Sequence, residues 1–85
     1  MAKNISAQVS LYPLRTEHLG PPIEAFAEEL RGAGLQVEPG PMSTLVVGGA
    51  EVLFPALQRA FEAASAEHQV VMEVAVSNAC PEVLR

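Results

Sequence analysis

Apolar and polar residues alternate from Ile5 to Tyr12. Ile5, Ala7, Val9 and Leu11 form one row, and Ser6, Gln8, Ser10 and Tyr12 the other. A period of two marks a strand with one face turned to a core. Pro13 is expected to end its pairing, because it has no N–H to donate. The stretch RTEHLGPP reads as a loop, and Pro21 or Pro22 suits a first helical turn. From Ile23 the spacing becomes helical, with Ile23, Phe26, Ala27 and Leu30 on one side. RGAG stops that helix, with Gly32 or Gly34 as its left-handed cap.

Leu35–Glu38 predicts a short second strand closed by a Pro-Gly turn, and Thr44–Gly48 a third strand. Glu51 to about His68 predicts the longest helix, striped by Leu53, Ala56, Leu57, Ala60, Phe61 and Ala64. Pro55 is taken to lie in its tolerated first turn, and His68 near its C-terminal end, where a cation suits the dipole. Gln69–Asn78 predicts the last strand, ending before Pro81.

The order is βαββαβ. Two helices cannot cover both faces of a four-stranded sheet, so both are expected on one face. That makes a ferredoxin-like sandwich of the α/β (α+β) class with an antiparallel sheet. Right-handed crossovers are expected to set the first and last strands side by side at its centre. Val70, Met72, Val74 and Val76 then face the helices. Val71, Glu73, Ala75 and Ser77 share the bare face with Ser6, Gln8, Ser10 and Tyr12. Such a mixed surface suits an oligomer contact, a ligand floor, or both.

Composition narrows the partners. The 85 residues allow one domain, spanning 1–85. A chain this short buries roughly 60–65% of its unfolded surface, so oligomerisation is expected to add stability. A net charge of -5, with Lys3, Arg15, Arg31, Arg59 and Arg85 scattered, argues against nucleic acid or an anionic membrane as partner. The single cysteine, Cys80, excludes an internal disulfide and a multi-cysteine metal site, and reads as a turn thiol. His18 and His68 have no ligand-spaced companions, so no metal site is expected. VVGGAE lacks the lysine of a phosphate loop. MAKNIS has no apolar leader, and the uncharged run Pro39–Ala50 holds too much Gly and Pro to span a bilayer, so the chain reads as cytoplasmic.

SLYPL near the start, MSTLVVGG in the middle and HQVVMEVAVSNACP at the end, with EVLFPALQRAF between the last two, resemble the YkoF-like thiamine/hydroxymethylpyrimidine-binding family. That group has a ferredoxin-like fold, and the resemblance covers nearly the whole chain. It implies binding of thiamine or its pyrimidine moiety in the cytoplasm, without catalysis or a cofactor, in thiamine or hydroxymethylpyrimidine transport or salvage. The namesake arrangement has two such domains in tandem. A single domain implies a homodimer that rebuilds the pair, or a homotetramer.

An aminopyrimidine calls for groups that both donate and accept, held beside an apolar wall. Ser10, Tyr12, Ser43, Thr44, Ser77 and Asn78 are the candidate ligands, with Met42 as the wall. The resemblance carries most directly onto Tyr12, Ser43 and Ser77. Each candidate has a plainer reading. Ser43 and Thr44 can satisfy turn amides, Asn78 can serve as a left-handed turn residue, and Tyr12 can sit in a dimer interface. Glu73 can accept from the pyrimidine amine or offset the thiazolium charge, or pair with Arg15 or Arg59 of a neighbouring subunit. Against a binding protein stand an assembly module whose open face only builds the oligomer, and an enzyme. The enzyme is disfavoured because no acid, base and nucleophile converge by spacing.

Overall fold

The computed structural model describes residues 4–15, 17, 20–40 and 43–79; His18, Met42 and Cys80 lie outside them. The elements are β1 (Asn4–Leu14), α1 (Gly20–Gly32), β2 (Gln36–Pro39), β3 (Thr44–Gly49), α2 (Ala50–Ser65) and β4 (Gln69–Ser77). They form a ferredoxin-like α+β sandwich with the antiparallel strand order β2-β3-β1-β4. β1 and β4 are neighbours as expected, but β4 is an edge strand and β1 shares the centre with β3. The reason is that each helical crossover skips one strand, β1 to β2 over β3 and β3 to β4 over β1.

The register confirms the two rows. Ser6 lies opposite Val47 and Ser77, Gln8 opposite Leu45 and Ala75, Ser10 opposite Glu73, and Tyr12 opposite Val71. Ile5, Ala7, Val9 and Val46 turn inward to meet both helices, and Met72 and Val74 pack against that core. The open face is not uniformly wet. Ser6 is 2% exposed, a short side chain sunk between those of Val47 and Ser77.

Pairing between β1 and β3 stops at Val9↔Thr44, whereas β4 follows β1 as far as Leu14. The far half of β1 therefore stands in a two-stranded ribbon. Pro13 lies within that ribbon, opposite Val70, and does not end the strand. A proline is tolerated there because β1 has a neighbouring strand on one flank only.

α1 buries Pro22, Phe26 and Leu30, one residue per turn. Ile23, expected in the stripe, is instead exposed beside it. α2 buries Leu53, Ala56, Leu57, Ala60 and Ala64. It begins at Ala50, so Pro55 stands in the second turn rather than the first and has no N–H to give the Glu51 carbonyl. It ends at Ser65, one residue after the stripe's last member Ala64 and three before the expected end at His68, which leaves His68 in the connection to β4.

Gly34, not Gly32, takes the left-handed conformation after α1, at φ 89°. Its N–H donates to the Arg31 carbonyl at 3.0 Å. Gly34→Ala is expected to cost about 1–2 kcal/mol, read as a fall in urea midpoint, because a Cβ strains this backbone although no atom crowds it.

Candidate functional site

Where β3 gives out, the sheet narrows from four strands to two and leaves a gap. Its borders are the far half of β1, helix α1, and the turn joining β2 to β3. The Gly40 N–H donates to the Ser43 carbonyl at 2.8 Å across that turn, which brings Ser43 and Thr44 to the border. The gap is a cleft of about 580 Å³. Val9 and Leu11 wall it from β1, and Ile23, Phe26 and Ala27 from α1. Ser10, Ser43 and Thr44 supply its neutral polar lining, and Glu24, Glu28 and Arg31 its charge.

A second, shallower depression of about 380 Å³ lies on the open face of the sheet. Gln8, Ser10, Tyr12, Ser43, Glu73 and Ala75 line it. Ser10 and Ser43 border both hollows, so the two meet at the end of β3.

The candidate residues divide accordingly. Ser10, Ser43 and Thr44 meet in the deeper cleft, and Ser10, Tyr12, Ser43 and Glu73 around the shallower one. Ser77 and Asn78 do not join them. Ser77 lies opposite Ser6, four residues along β4 from Glu73, hence roughly 13 Å away. Its Oγ accepts from the Ala79 N–H at 3.0 Å, so a turn role falls to Ser77 itself. Met42 lies outside the described residues.

Residue spacing did not point to Ile23, Glu24, Ala27, Glu28 and Arg31 as cleft residues. One signal was present in the sequence. Ile23 and Ala27 recur at i, i+4 beside Glu24 and Glu28 at the same spacing, so an apolar ridge runs along an acidic one.

The charges are exposed. Arg31 Nη1 approaches Glu28 Oε2 at 3.8 Å, with 47% and 78% of the two side chains accessible, so the pair is worth little to stability. Among the described residues no cation is paired with Glu24 or Glu73. The Arg15 guanidinium donates instead to the Gln69 side-chain carbonyl. Also among the described residues, no group of three His, Cys, Asp or Glu could hold a metal ion, and no helix is long and apolar enough to cross a membrane.

No curated protein matches the chain. Several solved structures share its fold. A hypothetical protein from Methanocaldococcus jannascii aligns over 88% of this chain and 79% of its own, at 21% identity and TM-score 0.80. A Streptococcus pneumoniae protein aligns over 87% and 84%, at 21% identity and TM-score 0.80. A Thermotoga maritima protein provisionally assigned to thiamine biosynthesis or salvage aligns over 87% and 82%, at 17% identity and TM-score 0.78. At such identities the likeness shows the fold alone. Family membership comes from the sequence pattern: residues 7–79 match the thiamine-binding protein family, and the chain belongs to it.

Proposed function

We propose that the protein binds thiamine, or its hydroxymethylpyrimidine moiety, in the cleft between α1 and the far half of β1, and performs no chemistry on it. The observation that carries this reading is the meeting of Ser10, Ser43 and Thr44 with an apolar wall in one cavity. A volume of about 580 Å³ lies within the ~300–1,000 Å³ typical of small-molecule sites. An aminopyrimidine is flat, with an amine that donates and ring nitrogens that accept. Hydroxyls can answer both, while Ile23, Phe26 and Ala27 cover the ring face. Membership of the thiamine-binding family and the likeness to the Thermotoga maritima protein support a thiamine-related role, and the reading places it in thiamine transport or salvage in the cytoplasm.

A second copy of the chain completes the picture. Tyr12, Leu14 and Val71 are exposed large apolar groups on the open face, which favours a homodimer or homotetramer meeting there. On the competing reading, an assembly module, that contact is the whole function.

Calorimetric titration separates the two. Thiamine or hydroxymethylpyrimidine is expected to release or absorb heat with saturable binding. Ser43→Ala combined with Thr44→Ala is expected to weaken that binding by about 1–3 kcal/mol. No binding of either compound at millimolar concentration overturns the proposal and leaves the assembly module. Native mass spectrometry of the same samples reads the oligomeric state.

A further inference from the structure

The three charged residues lining the cleft all come from α1, and they do not cancel. Arg31 lies 3.8 Å from Glu28, and together they leave no net charge. Glu24 adds a full negative charge one turn before Glu28. Arg31 is the only cation lining the cleft among the described residues. Cleft and chain thus carry the same sign, with a net charge of -5 overall.

Building on the thiamine reading, we propose that Glu24 is a specificity residue that makes the cleft prefer the singly charged, unphosphorylated vitamin to its phosphate esters. Thiamine carries a permanent positive charge on its thiazolium ring, whereas the pyrimidine moiety is neutral. Each added phosphate brings at least one negative charge and acceptor oxygens that need Arg or Lys donors. The cleft offers one guanidinium, already beside a carboxylate. A phosphorylated tail therefore meets Glu24 without compensation, while the bare thiazolium is attracted to it. Discrimination here is a difference of two affinities, one raised and one lowered by the same carboxylate.

Glu24 is exposed, and water screens an exposed charge, so its effect is modest. Glu24→Gln is expected to weaken thiamine binding about three- to fivefold and to change hydroxymethylpyrimidine binding less than about twofold. Glu24→Lys, which reverses the charge, is expected to weaken thiamine about tenfold and to bring thiamine diphosphate level with it or ahead. An exposed helical position tolerates both substitutions, and circular dichroism checks that the fold is kept.

The experiment titrates thiamine, thiamine diphosphate and hydroxymethylpyrimidine into the wild-type protein and both variants, at low and high salt. Loss of the thiamine preference in the variants, fading in the wild type at high salt, supports the assignment. If the wild type binds thiamine and the pyrimidine but their affinity ratio is the same in all three proteins, Glu24 has no such role and the inference falls while the cleft stands. If the wild type binds neither, the thiamine reading fails first and this inference fails with it.

Discussion

Phe26→Ala is expected to remove about 3–5 kcal/mol of stability, the largest loss foreseen for a single substitution in this chain. The side chain is 3% exposed and belongs to the buried cluster that joins α1 to the sheet. Truncating a buried phenyl loses its transfer free energy and leaves a void that the neighbours only partly fill. At ~0.05–0.15 kcal/mol per residue, a chain of 85 residues has roughly 4–13 kcal/mol in total, so the variant stands near its unfolding threshold. Phe26 also floors the cleft, and thiamine affinity is expected to fall with stability. Urea denaturation followed by circular dichroism reads the first effect and titration in the cold the second. Phe26→Leu, which restores most of the volume, separates them by recovering much of the stability. A loss under about 1 kcal/mol for the alanine variant would show that the ring is not a core element.

The folding pattern was legible where one physical rule acted alone. Alternation from Ile5 to Leu11 assigns faces because a strand has no intermediate orientation. The register of β1 with β4 keeps the two rows apart, although Val76 on the helix side is exposed and Ser6 on the other is buried. Tertiary context decided the rest. Pro13 looked terminal because proline breaks ladders, yet it stands where β3 has already ended and the loss of a donor is tolerable. Ile23 fits the helical stripe by spacing, but α1 is rotated so that Pro22 takes the inward position. The position of β4 at the edge depends on which strand each crossover skips, and no local pattern encodes that choice.

The site was legible in part for the same reason. Ser43 and Thr44 stand out because a strand opens there after a turn, and Ser10 because alternation marks the polar row; the fold brings all three to one cleft. Ser77 and Asn78 end a strand as well, but at the opposite end of the sheet. The acidic ridge of α1 does not stand out in the sequence, because exposed glutamates on a helix usually mean only solvent. The cleft beneath them arises from the unequal lengths of β1 and β3, eleven residues against six, and that mismatch appears only once the strands are paired.

The second large effect tests the floor of the sheet at Gly48. A Cβ added there would overlap the Leu35 Cδ2 methyl, so Leu35 occupies the space a side chain would need. Gly48→Ala is expected to cost about 1–3 kcal/mol by overpacking, since Leu35 is buried and cannot simply swing into water. Leu35→Ala alone is expected to cost about 2–4 kcal/mol by leaving a cavity. The two losses should not add. With Leu35 shortened, the methyl introduced at position 48 enters space already vacated, so the double variant is expected to lose at least about 1 kcal/mol less than the sum of the singles. A double-mutant cycle by urea denaturation measures the coupling. Strict additivity would mean that Leu35 can move aside freely, and then the residue packed on Gly48 is not what excludes a side chain there.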